Sequence, residues 1–195
     1  MLTYRIYQDD DIVESPRDWG NDNVIVGINS ICDVEAESLY AALEHIDSNL
    51  KIDLLNSLDD YTLREVLDLP NYDRVETIQM IADNYSIDEI ATEDQLLSFL
   101  KEEGYNILPV YMYNHSGICI STTPFSCKWD SGQIGYIYSR EDTDDILKAD
   151  IGLYSSYLEG DVYCYDILDA DNDVVDSCCG IYGYEEAEKE AKSCI

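Results

Sequence analysis

The chain has 195 residues, 46% of them hydrophobic and 17 of them tyrosine, and its 42 acidic residues against 11 basic ones give a formal net charge of −31. It is too apolar and aromatic for a disordered chain, and it has no run of about 18 apolar residues that would make a membrane-spanning helix. Its charge repels nucleic acid and anionic membranes and attracts basic surfaces, above all those built to hold DNA or RNA.

Residues 2–8, LTYRIYQ, alternate as a strand, with Leu2, Tyr4 and Ile6 on one face. The start MLTYRIYQDDD has no basic region followed by an apolar stretch, so it reads as no signal peptide, and a cytoplasmic location in a host cell is expected. A polar stretch follows, broken by Pro16 and Gly20, in which Trp19 is expected to pin the loop against the core. Residues 24–28 are a short apolar run that reads as a second strand. Residues 1–32 thus read as a strand and loop packing on a sheet.

Residues 33–105 read as an acidic helical segment with 19 acids and 4 bases, net −15. Asp33 caps a helix over 34–49, with Leu39, Ala42, Leu43 and Ile46 at helical spacing. Residues 50–58 are short and apolar. Thr62 with Glu65 three positions on makes a capping box, and Pro70 ends that short helix. The next helix covers 75–84, with Val75, Ile78, Met80 and Ile81 apolar. Thr92 caps a helix over 93–103, and Gly104 stops it. With apolar stripes turned inward, these helices are expected to carry the acidic partner-binding face, with Glu44, Asp47, Asp59, Asp60, Glu65, Asp68, Glu76 and Asp83 as its exposed carboxylates.

Residues 106–195 read as an α+β sheet core with a C-terminal helix. The stretch 106–140 has only Lys128, Asp130 and Arg140 charged, and it reads as a meander: a strand over 107–113, a turn at 114–117, a strand over 118–122, a loop and a strand over 133–138. In the loop, Trp129 is expected to be a buried anchor whose loss costs about 3–5 kcal/mol, and Asp130-Ser131-Gly132 a turn stabilised by side chains. Residues 141–158 read as a helix that Gly152 weakens. A hairpin then follows, with strands over 162–168 and 174–182 and a turn at 169–173, before an acidic helix over 184–193. The fold class is α+β: a mostly antiparallel β-sheet, from 106–138 and 162–182, packed with acidic amphipathic helices.

Candidate chemistry is sparse. Asp169, Asp171 and Asp173 imitate the start of a calcium loop, but Val174 stands where its glycine belongs and Gly180 where its glutamate belongs, so a plain turn is expected. The seven cysteines include no CxxC pair, so free buried thiols and no metal centre are expected. His115, Cys127 and Asp130 compose a conceivable nucleophilic site, with His115 as base and Asp130 orienting it, although the net charge disfavours a thiolate. No glycine pattern for phosphates occurs, and no cofactor is expected. His45 carries no special role.

Five stretches, SPRDW at 15–19, LPVYMYNHSG at 108–117, FSCKWDSGQIGYIY at 125–138, GDVY at 160–163 and DSCCGIYG at 176–183, resemble a family of small acidic proteins encoded by phages, plasmids and their relatives. The resemblance implies a mobile-element setting and no particular chemistry. By analogy with acidic DNA mimics that block restriction or CRISPR enzymes, the expected function is a non-enzymatic inhibitor. Its partner would be a basic nucleic-acid-binding host protein, a nuclease or defence complex. At one charge per about 1.7 Å of duplex axis, 31 net charges match roughly 50 Å of DNA, or about 15 base pairs. A small Cys/His-dependent enzyme on the meander and an acidic protein–protein adaptor are the alternatives.

Overall fold

The computed structural model describes residues 1–11, 14–19, 24–27, 37–38, 48–61, 63 and 73–195. In chain order the elements are β1 (Thr3–Gln8), a 3-10 turn (Pro16–Trp19), β2 (Val24–Gly27), β3 (Glu37–Ser38), α1 (Ser48–Ser57), α2 (Arg74–Asn84), α3 (Ile87–Ile90), α4 (Glu93–Glu102), β4 (Asn106–Asn114), β5 (Ile118–Ser121), β6 (Ser131–Ser139), α5 (Asp144–Glu159), β7 (Val162–Leu168), β8 (Val174–Tyr182) and α6 (Tyr184–Ser193). The fold is α+β and mostly antiparallel. The short β2–β3 ladder runs parallel.

Two sheets form where the sequence predicts one. The meander strands join β2 and β3 in the order β3-β2-β6-β4-β5, and the late hairpin joins the first strand in the order β1-β7-β8. The N-terminal strand pairs with β7 from Thr3↔Leu168 to Gln8↔Tyr163, so β7 is flanked by β1 and β8 and has no edge left for the meander strands. Compact packing divides the chain into one unit of Met1–Asp22, Val110–Gln133 and Lys148–Ile195, and a second of Asn23–Pro109 and Ile134–Leu147.

In the first unit, α6 lays Ala187 and Ala191 on Tyr165, Ile167 and Ile181 of the three-stranded sheet. The small alanines let the helix backbone approach the sheet while its four glutamates stay at the surface or rim. Asp169 closes the β7–β8 turn as expected: its Oδ1 accepts from the amides of Asp171 (2.9 Å) and Asp173 (3.0 Å), so the carboxylate is turned to the backbone. Cys164 and Cys179 are joined in a disulfide across β7 and β8, which corrects the expectation of free thiols for this pair. A bulge brings them together, because Cys179 and Gly180 lie opposite the single residue Cys164, with Gly180 at φ +75°. Cross-strand proximity of this kind leaves no local sequence signature.

In the second unit, α1, α3 and α4 bury Leu50, Leu54, Ile87, Leu96, Phe99 and Leu100 against Tyr138 of β6. A neighbouring cluster packs Leu55, Leu58 and Leu63 on Ile78, Ile81 and Ile90. The predicted helix over 34–49 is not formed at Glu37–Ser38, which is strand. Ser48 instead begins α1, and the rest of that expectation lies outside the described residues, as do Thr62, Glu65 and Pro70. Helix α5 runs through Gly152 without a break, with that glycine exposed.

Candidate partner-binding surface

The acidic surface of the second unit is built on α1, α2 and α4. Asp73 starts α2 by accepting from the amides of Val75 (3.0 Å) and Glu76 (3.2 Å), which also places a negative charge at the positive end of the helix dipole. One face of α2 buries Thr77, Ile78 and Ile81. The other presents Val75, Glu76, Gln79, Met80 and Asp83, positions that repeat at helical spacing. Val75 is 77% exposed and Met80 40% exposed, so the expectation that both belong to the buried stripe is corrected. The helix turns about 100° per residue, and burying Ile78 and Ile81 rotates these two outward.

Arg74 ties this helix to the end of α1. Its guanidinium pairs with Asp60 and donates to the carbonyls of Asn56 (3.0 Å) and Leu58 (2.9 Å), where the last helical carbonyls lack partners. Tyr61 follows Asp60 and is 71% exposed. A groove of about 370 Å³ opens beside Asp59, lined also by Ser57, Leu58, Asp94, Ser98 and Glu102. Three carboxylates therefore converge on one concave site.

Of the eight predicted carboxylates, Asp59, Asp60, Glu76 and Asp83 are exposed on this surface, with Asp60 partly neutralised by Arg74. Glu44, Asp47, Glu65 and Asp68 lie outside the described residues. Sequence reasoning missed Asp94 and Glu102. Their signal was present, since 94, 98 and 102 recur every four residues on the polar face of α4.

The few described arginines are engaged by carboxylates of the chain itself. Among the described residues, each arginine meets a carboxylate: Arg5 with Asp166 at 2.6 Å, Arg17 with Asp150 at 2.9 Å, Arg74 with Asp60, and Arg140 with Glu103 at 3.9 Å. Asp150 and Asp166 are the buried acids among the described residues, and each has its own guanidinium. Lys189 pairs with Glu186 at 2.6 Å and Lys192 with Glu188 at 2.9 Å, and over the whole chain acids outnumber bases 42 to 11.

The residues His115, Cys127 and Asp130 do come together, in an order unsuited to a nucleophile. Asp130 Oδ2 lies 3.3 Å from His115 Nδ1 and accepts from Cys127 Sγ at 3.7 Å. The carboxylate is thus the thiol's partner, whereas thiol activation needs the imidazole in that place. Of the other thiols, burial and the neighbouring Glu159 carboxylate push Cys119 above the usual thiol range.

Trp129 is 95% exposed, which corrects its expected burial. Phe125 anchors the loop in its stead, packing on Tyr113 with ring centroids 5.7 Å apart. The side chain of Trp19 lies outside the described residues. No helix of the described residues is long and apolar enough to cross a membrane. Comparison with known proteins finds no family model, no curated protein and no solved structure that matches the chain.

Proposed function

We propose that the protein is a non-enzymatic, phage- or mobile-element-type inhibitor that acts in the host cytoplasm as an acidic imitation of nucleic acid. Its partner is a basic nucleic-acid-binding protein, a nuclease or defence complex of the restriction or CRISPR kind. The observation that carries this reading is the distribution of charge. Among the described residues the arginines meet buried or local carboxylates, while Glu76, Asp83, Asp94 and Glu102 stand exposed on α2 and α4 of one unit, with Asp59 in the turn after α1.

The physics runs from that distribution. Carboxylates held on helices keep fixed spacing, so they enter a cleft of lysines and arginines without a large ordering cost. Their summed field steers encounter and raises the association rate, falling off with salt. The groove at Asp59, Asp94 and Glu102 suits a guanidinium or ammonium head. Tyr61, Val75 and Met80 beside these charges add apolar contact that phosphate does not offer. The order of His115, Asp130 and Cys127 supports binding over catalysis.

The test is inhibition of duplex cleavage by purified restriction and CRISPR nucleases. Inhibition that excess uncleavable duplex relieves supports the proposal. Inhibition independent of duplex concentration, or none across the panel, contradicts it.

A further inference from the structure

We propose that the reduced β7–β8 hairpin is a binding site for a borderline-soft divalent cation, Zn²⁺ foremost, with Cys164, Cys179 and Asp9 as ligands, so that this place in the fold holds either a disulfide or a metal. Among the described residues, these three form the one group whose ligand atoms all lie within 4.8 Å of one another. Two thiolates bound at about 2.3 Å to a tetrahedral Zn²⁺ sit roughly 3.8 Å apart, inside that limit. The sulfurs reach it by side-chain rotation once the bond between them is broken.

The carboxylate is already oriented. Asp9 follows β1, and its amide donates to the carbonyl of Val162 at 2.8 Å. Gly180, the bulge residue after Cys179, donates its amide to Asp9 Oδ2 at 3.0 Å, and Asp11 donates to Oδ1 at 3.1 Å. An ionised carboxylate has about four lone-pair sites, so each oxygen keeps one for a cation. Backbone donors to a ligating carboxylate are the outer support that metal sites use to fix their ligands. Cys164 is 3% exposed, whereas Cys179 faces solvent. The site is therefore closed on one side and open on the other, where a dithiol reductant can attack and a water can complete four-coordination. Its ligands are 9, 164 and 179 in sequence, which is why no paired-cysteine spacing announces it.

The chemistry balances in two steps. A dithiol reductant supplies two electrons and two protons: the Cys164–Cys179 bond breaks, both sulfurs become thiols, and the reductant becomes a cyclic disulfide. The cation then replaces the two thiol protons, which leave to solvent, and two metal–sulfur bonds form.

The experiment uses Co²⁺ as an optical probe on the full chain. Reduced protein should bind one Co²⁺ with a thiolate-to-cobalt charge-transfer band and strong tetrahedral visible bands, and Zn²⁺ should displace it. Protein left oxidised should show neither band. C164S/C179S, reduced, should lose both. D9N should keep the thiolate band with affinity lowered by at least about 10-fold, since even a residue that only supports a ligand is worth that much. Absence of the band in reduced wild type overturns the site, as does its persistence in oxidised protein or in C164S/C179S, and so does unchanged affinity in D9N. Should C164S/C179S fail to fold, the oxidised–reduced comparison and D9N decide without it.

Discussion

Arg17 and Asp150, 133 positions apart, meet with Nη1 2.9 Å from Oδ2, and both side chains are largely withdrawn from water. The guanidinium also lies over the ring of Tyr154, 6.0 Å from its centroid. The SPRDW turn is thereby fastened to α5. One of five arginines of a strongly acidic chain is used to neutralise a single buried acid.

Breaking that pair from one side strands the other charge. Arg17→Ala should destabilise the protein by about 3 kcal/mol, the low end for buried pairs because Arg17 keeps some solvent contact. Arg17→Met with Asp150→Leu should recover much of the loss. Urea unfolding checks both, and equal losses in the single and double variants would contradict the pairing.

Trp129 gives the opposite expectation. Its ring is in solvent, so Trp129→Ala should change stability by no more than about 0.5 kcal/mol, whereas Phe125→Ala should cost clearly more. Thermal unfolding of the two variants measures the contrast. A Trp129→Ala loss matching that of Phe125→Ala would place the tryptophan in packing after all.

These two aromatics mark where the sequence was legible. Local chemistry was readable: Thr92 caps α4, Gly104 follows its end at φ +88°, and Asp169 builds its turn, while the return bond from Gln95 to Thr92 came only with the structure. Each depends on neighbours within a few positions. The pairing of β1 with β7 and the meeting of Cys164 with Cys179 depend on contacts across the fold, and alternation of side chains carries no address for a distant partner. The exposure of Val75 and Trp129 was illegible for a related reason: hydrophobicity states a preference for burial, but the packing of Ile78, Ile81 and Phe125 decides who is buried. On the candidate surface, Asp59, Asp60, Glu76 and Asp83 were readable as polar-face acids, while the groove that joins Asp59 to Asp94 and Glu102 needed the packed helices.

The tyrosines of the first unit predict an alkaline transition. The hydrogen bond with Cys194, with burial second, pushes Tyr165 up to about 12. Because the folded value lies above the unfolded value of about 10, the neutral phenol's contribution is fully present below pH 10 and is lost as pH rises toward 12. Tyrosinate absorbance should therefore appear for some rings only as the protein unfolds in that window. Full titration of all tyrosines near pH 10 with the fold intact would contradict it.

Charge reversal tests the acidic surface. Replacing Asp59, Glu76, Asp83 and Asp94 together by lysine should slow association with a nuclease that the protein inhibits, the partner class proposed above, by roughly tenfold at low salt and flatten its salt dependence, with stability changed little. Stopped-flow association at several salt concentrations reads both. Association as fast as wild type would move the interface elsewhere.

The most direct test of nucleic-acid mimicry is a competition titration of an inhibited nuclease with labelled duplex and this protein at several salt concentrations. Both satisfy the same lysines and arginines, so each should displace the other at every salt. The protein lacks the condensed counterion layer of DNA, so the logarithm of its affinity should fall less steeply with the logarithm of salt than that of duplex. A ternary complex of nuclease, duplex and protein that persists at all salts would contradict mimicry and leave the protein as an adaptor bound elsewhere.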